Sequence, residues 1–244
     1  MLKVTTIIAH KDYLDYLPNA VNSALNQTYK NKVCVIDDGS KCGIDDVIDK
    51  IFDTTPEFVK SLPGNIGTFV ESERIQLFKM NETFGPSAAR NIGIKYNLDK
   101  TDAFMILDAD DEMFCDKIEK CVSVMSQNID SIGSVYADYI ISKKDYKVYE
   151  YKKPYNKKSL KKECIIHSGS LINSNVFKKI GFYDETLRVC EDYDLWLRMC
   201  ESFISCHIAE PLTLVLDHSE NSTNSVKKEV WQQSWLKLKN KYKL

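Results

Sequence analysis

Acidic residues gather at three places in this chain, and their settings make them candidates for chemistry. The apolar run Ala103-Phe104-Met105-Ile106-Leu107 reads as a buried strand and ends in Asp108-Ala109-Asp110-Asp111. Carboxylates at the C-terminal edge of a parallel sheet, where ligands sit in open α/β folds, suit a hard divalent cation bound to phosphates. The D-x-D spacing alone is weak, since acidic loops after strands are common and most are simply solvated. Its weight comes from Asp37-Asp38-Gly39-Ser40 upstream, also after an apolar run, and from Glu191-Asp192-Tyr193-Asp194 downstream. Three such clusters in one small domain suggest a nucleotide-sugar site.

The elements that must position them follow from periodicity. Val4-Thr5-Thr6-Ile7-Ile8-Ala9 is nearly continuous in apolar and β-branched character, as a strand buried on both faces should be. Leu14, Leu17, Val21, Ala24 and Leu25 then recur at helical spacing. Lys32-Val33-Cys34-Val35-Ile36 predicts a second strand, 45–52 a helix, and Ile75-Gln76-Leu77-Phe78 a third strand. Between them, residues 53–73 carry Pro56, Pro63, Gly64 and Gly67 with little periodicity, and read as an insertion or long loop. A helix over 86–96 leads into the strand at 103–107. This alternation predicts an α/β fold with an open, mainly parallel, Rossmann-like sheet in roughly the first 111 residues.

The second half, 112–225, changes character and reads as a mixed, acceptor-side region of the same domain. A helix over 116–126 precedes an aromatic, β-branched strand at 134–141, with 146–151 as a returning arm. A short helix opens at Ser174-Asn175 and ends at Gly181. A stronger helix covers 191–201, with Leu195, Trp196, Met199 and Cys200 on its apolar side. Two strand-like runs, 203–208 and 213–217, precede a basic C-terminal helical tail at 226–244, for which packing on the core is the default.

Composition narrows the function. With 244 residues, 43% hydrophobic and 28% charged, the chain has the balance of one globular domain. A net charge of -2 gives no reason to expect nucleic-acid binding. The lysine-rich stretch over 143–162 reads as a solvated face. No apolar run approaches the ~18 residues that span a bilayer. A strand begins almost at Met1, so no signal peptide is expected, and the predicted location is cytoplasmic, with room for peripheral membrane contact. Eight cysteines without a C-x-x-C pair predict reduced thiols rather than zinc or a disulfide scaffold.

Seven segments occur in a telling order: Val4–Ala9, Gln27-Thr28-Tyr29, Val35-Ile36-Asp37-Asp38-Gly39-Ser40, Ser87-Ala88-Ala89-Arg90-Asn91-Ile92-Gly93, Leu107-Asp108-Ala109-Asp110-Asp111, Gly181-Phe182-Tyr183-Asp184-Glu185 and Glu191-Asp192-Tyr193-Asp194-Leu195-Trp196-Leu197-Arg198. Together they resemble the family 2 glycosyltransferases of the GT-A fold, over about residues 3–225. The resemblance implies an inverting, metal-dependent transfer of a sugar from a nucleotide-diphosphate donor, of UDP or dTDP type, to a hydroxyl on a glycan or other glycoconjugate, lipid-linked acceptors included. It implies Mn2+ or Mg2+ as cofactor.

Residue by residue, the resemblance assigns Asp38 to base recognition; a carboxylate only accepts hydrogen bonds, which matches the N3–H of uracil or thymine. The bland alternative is a turn Asp capping the next helix. Ala9, His10 and Lys11 should lie along the base and ribose. Similar proteins often carry Pro in place of Ala9 and an aromatic near Lys11, so base stacking here is weaker or supplied elsewhere. Gly85 lets the backbone approach the nucleotide, and Arg90 can serve phosphate or the acidic loop. Asp108 is placed near ribose or metal, and Asp110 on the cation. His218 resembles a C-terminal segment that closes over the diphosphate and is a candidate Mn2+ ligand, against the structural role usual for a lone histidine.

Asp192 is the expected catalytic base. Inversion needs the acceptor hydroxyl to attack opposite the leaving group while a base takes its proton, and one carboxylate suffices. The alternative is an acidic residue favoured by a helix start. Glu191 and Trp196 are placed on the acceptor side, with Asp194 and Trp196 also able to pack or orient the helix. Two competing functions remain: a non-catalytic nucleotide-sugar-binding domain, and a nucleotidyltransferase. The latter wants a glycine-rich basic loop after the first strand, where this chain has His10-Lys11-Asp12-Tyr13-Leu14. The absence of G-x-G-x-x-G argues against a dehydrogenase.

Overall fold

A computed structural model describes residues 1–41, 58–62, 66–219 and 221–244. Its strands are β1 (Val4–His10), β2 (Lys32–Asp37), β3 (Phe58–Ser61), β4 (Gly67–Glu71), β5 (Ile75–Met80), β6 (Ala103–Asp108), β7 (Glu112–Met113), β8 (Ile132–Ser142), β9 (Lys147–Glu150), β10 (Leu171–Asn173) and β11 (Ile204–Leu216). The helices are α1 (Leu17–Leu25), α2 (Pro86–Asn97), α3 (Lys117–Met125), α4 (Lys157–Leu160), α5 (Ser174–Ile180), α6 (Glu191–Met199), α7 (Ser222–Ser225) and α8 (Lys228–Tyr242). All strands join one sheet in the order β3-β4-β5-β2-β1-β6-β10-β8-β11-β7, with β9 beside β8.

β5, β2, β1 and β6 run parallel, so their C-terminal ends share one edge. The register sets His10 beside Asp37 and Ala9 beside Asp108. Both faces of these strands are covered, which explains their continuous apolar runs. Ile7, Cys34, Ile36, Phe104 and Ile106 face one core; Ile8, Val33, Val35, Met105 and Leu107 face the other. β10 then inserts antiparallel between β6 and β8, which makes the second half mixed.

Two expectations change. The 53–73 segment is no simple loop: β3 and β4 form an antiparallel pair that extends the sheet past β5. Ladder bonds to an open edge, and fully buried Phe69 against Phe78, outweigh its poor periodicity. The helix expected at 45–52 lies outside the described residues. The two runs at 203–208 and 213–217 are one long strand, β11, with register shifts around Pro211, whose missing N–H interrupts the ladder without ending it. Among the described residues, seven cysteines are free thiols, and no helix is long and apolar enough to cross a membrane.

The C-terminal helix α8 packs on the core. Leu238 is fully buried, and Trp235 stacks on Tyr193 at 5.5 Å with planes 12° apart. Lys241 Nζ and Tyr242 Oη donate to Asp194 Oδ1 at 2.7 and 2.6 Å, deep within the fold. Leu238→Ala should therefore cost about 2–5 kcal/mol, as buried leucine truncations do. Urea denaturation would register this as a lower midpoint at constant slope; a loss under about 0.5 kcal/mol would show the helix undocked in solution.

Candidate active site

A cleft of about 980 Å3 opens at the C-terminal edge of the parallel strands. Asp38, Asp108, Asp110, Asp111 and Asp192 all line it, so acidic clusters up to 154 residues apart along the chain meet in one place.

One end of the cleft is built on Asp38, just past β2. Its Oδ1 accepts from Phe84 N at 2.7 Å and its Oδ2 from Gly85 N at 2.8 Å. Its own N–H donates to His10 O at 2.8 Å. The carboxylate thereby ties three loops together. Gly39 must be glycine: its φ is +71°, and a Cβ would meet the Glu82 carbonyl carbon at 2.8 Å. Gly85, with φ +94°, starts α2 ahead of Pro86; it adjoins the site through Asp38 rather than lining the main cleft. Ala9, His10 and Lys11 line the cleft beside Asp38. Lys11 Nζ donates to Thr83 Oγ1 at 2.7 Å. His10 is buried, its ring nitrogens have no hydrogen-bond partner, and burial pushes its pKa down to about 4, so it is neutral.

Arg90 sits at the centre. Only 8% exposed, it donates through Nη2 to Asp108 Oδ1 at 2.7 Å and through Nη1 to Glu191 Oε1 at 2.6 Å. Of its two candidate roles, the structure places it on the acidic loop. The guanidinium holds Asp108 below the usual carboxylate range despite burial, which acts the other way. Asp108 Oδ2 also accepts from Ser168 Oγ at 3.4 Å.

The metal-loop candidates close on β11. Asp111 Oδ1 accepts from Leu216 N at 3.3 Å, and His218 Nε2 lies 2.9 Å from Asp110 Oδ2. His218 stacks on Tyr16 at 4.6 Å and meets Tyr13 edge-on at 5.6 Å. Burial and the Asp108 charge push the Asp110 carboxyl up, and Asp111 further. Beneath them Lys117 is wholly buried, its Nζ donating to Thr213 Oγ1 at 2.7 Å; burial lowers its pKa to about 8. Sequence reasoning missed Lys117, because an N-terminal helix lysine ordinarily reads as surface. Among the described residues no three His, Cys, Asp or Glu side chains surround an ion site. One carboxylate and one imidazole, beside a cleft wide enough for phosphates, nevertheless fit a cation that completes its shell with diphosphate and water.

At the far wall, Asp192 is the carboxylate left uncommitted. Among the described residues its carboxylate accepts only the N–H of Tyr193, through Oδ1 at 2.7 Å, while Glu191 turns to Arg90. Burial, then the Glu191 charge, raise its pKa to about 7. The preceding Cys190 holds φ +63°, a costly conformation for a non-glycine residue, which sets the angle at which α6 enters the cleft. Trp196 does not line the cleft; it is fully buried in the core and packs the helix. The adjoining wall comes instead from Arg188 and from Trp231, Gln232 and Trp235 of α8, which no motif in the sequence marked. Of the other histidines, His167 lines the cleft, neutral through burial, while His207 pairs with Asp138 at 2.7 Å away from it.

The sequence model of the family Glycosyl transferase family 2 matches residues 5–181. The chain is 32% identical over 207 residues to an uncharacterized glycosyltransferase of Rickettsia typhi, covering 80% of this chain and 58% of that protein. A Rickettsia prowazekii counterpart is 32% identical over 206 residues, with the same coverages of 80% and 58%. The chain thus spans under two thirds of these relatives' length. Among solved structures, S. aureus TarS 1-349 in complex with UDP-GlcNAc matches with a TM-score of 0.70 at 13% identity, over 98% of this chain and 67% of that one. The mannosyltransferase PcManGT from Pyrobaculum calidifontis, in complex with GDP-Man and Mn2+, gives 0.69 at 14% identity, over 98% and 64%. The architecture is that of the GT-A class. Within it, the chain belongs to glycosyl transferase family 2.

Arg90→Gln should leave Asp108 and Glu191 facing each other without a cation. Unpairing buried charges in this way costs about 3–5 kcal/mol. Chemical denaturation measures it, and a loss under about 1 kcal/mol would mean that water already screens the bridge.

Proposed function

We propose that this chain is a metal-dependent inverting glycosyltransferase that moves a sugar from a nucleotide-diphosphate donor to an acceptor hydroxyl. The convergence of Asp38, Asp110 and Asp192 on one cleft carries the assignment. Asp38 receives the base: two backbone N–H bonds leave acceptor capacity on a carboxylate, which suits the N3–H of uracil or thymine. His10 and Lys11 flank the base and ribose, and Asp108, held by Arg90, orients the ribose side. Asp110 and His218 would hold Mn2+ or Mg2+, which when bound supplies Lewis-acid stabilisation of charge on the departing diphosphate. No general acid is then needed on the leaving side.

Asp192 takes the acceptor proton. A base works best with a pKa near the operating pH, and burial beside Glu191 brings this carboxyl there. Arg90 keeps Glu191 out of competition by pairing with it. The alcohol becomes nucleophilic as its proton passes to Asp192, and it attacks the sugar carbon from the face opposite the diphosphate. The acceptor is a hydroxyl of a glycan or glycoconjugate, met in the cytoplasm or peripherally at a membrane.

Two experiments test the roles separately. Asp192→Asn should bind UDP in calorimetry as the parent does yet lose about 10²–10⁴-fold in turnover, the usual worth of a positioned base. In the parent, kcat/KM should climb tenfold per pH unit up to about 7, where the Asp192 carboxyl ionises, and then level off. Parental turnover in the Asn variant, or a flat profile from pH 5 to 8, removes the base assignment. Asp110→Ala should weaken UDP binding at least tenfold with Mn2+ present and hardly at all in chelator. Equal losses in both conditions would speak against metal ligation.

A further inference from the structure

Resting on the glycosyltransferase reading, we propose that α8 completes the acceptor subsite, with Trp231 offering its indole face to a pyranose ring of the acceptor. Trp231, Gln232 and Trp235 line the same cleft as Asp192. Trp231 and Trp235 stand one helical turn apart, on one side of α8. Trp235 has one face taken by Tyr193, the residue that follows Asp192. Trp231 is half-buried and makes no ring contact among the described residues. Both indoles thus border the cleft beside the expected base.

The helix is held firmly enough to act as a wall. Asp194, fully buried, accepts from Lys241 Nζ and Tyr242 Oη of α8 through Oδ1 and from Arg198 Nε through Oδ2 at 2.8 Å. Leu238 fills the core below. Asp192 and Asp194 share α6, so the anchor that seats α8 also sets its distance from the base.

The chemistry of the wall selects the ligand. Flat aromatic faces with a few polar groups are the usual lining for a ligand that is apolar on one side and polar at its edge. A pyranose fits that description: its axial C–H face covers an indole, while its hydroxyls reach the Gln232 amide and Arg188 guanidinium at the cleft rim. An open-chain polyol has no such face, and a lipid chain would leave those polar groups unpaired.

The chain has three tryptophans, so the indole N–H region of a 15N spectrum holds three signals. Trp231→Phe and Trp235→Phe assign them. The full chain, with UDP and diamagnetic Mg2+ present, would be titrated with the methyl pyranosides of glucose, N-acetylglucosamine, galactose and mannose, with ribitol, and with dodecylphosphocholine micelles. At least one pyranoside should shift the Trp231 signal saturably and leave core Trp196 still. Trp231→Ala should weaken that binding at least tenfold with UDP affinity unchanged. No shift with any pyranoside, or an equal response to ribitol or micelles, overturns the proposal. Because no turnover is measured, the result stands apart from the fate of the Asp192 assignment.

Discussion

Bringing many carboxylates to one sheet edge is electrostatically costly, and the Arg90 bridge makes it tolerable. Asp108, Asp110, Asp111, Glu191 and Asp192 share a partly dry cleft, where like charges repel far more than in water. Arg90 joins the end of β6 to the start of α6 through two short ion pairs, and Lys117 adds a second buried cation below the loop. The two halves of the fold are thereby bonded at the cleft. The bridge also sorts the acids. It fixes Asp108 and Glu191 and leaves Asp192 outside the bridge, its carboxyl raised to about 7 by burial and by the Glu191 charge.

A similar economy appears at Asp38 and Asp194. Each is a buried carboxylate whose lone pairs are used to tie chain segments together: Asp38 binds the 84–85 backbone to the end of β2, and Asp194 binds α8 to α6. Charge-assisted bonds of this kind are stronger than neutral ones and rigidify what they join. Asp194 therefore helps set the shape of the cleft from within the motif that carries Asp192, and Asp38 holds its own loops together where it lines the cleft.

Much of this was legible beforehand. The parallel strands show as unbroken apolar runs because both faces are covered, and Asp108, Asp110 and Asp192 follow strand ends or open a helix at recognisable spacing. The ordered motifs sufficed to suggest the family. Other features were hidden for definite reasons. β3 and β4 lack periodicity because pairing, not amphipathicity, holds them. Arg90 could have served phosphate or carboxylate, and only its two partners decide. Trp196 could pack the helix or wall an acceptor pocket, and only its burial in the core selects the first. Lys117 and the α8 tryptophans carry no motif at all.

Residue order alone determined the class of fold, the strand ends on which acids stand and the chemical kind of each candidate group. These depend on local pattern, which a sequence displays directly. Tertiary structure decided which acids are paired and which is left to titrate, and that the last helix returns to wall the cleft. Those outcomes depend on distances between segments up to about 200 residues apart, and on the burial that follows, neither of which local pattern contains.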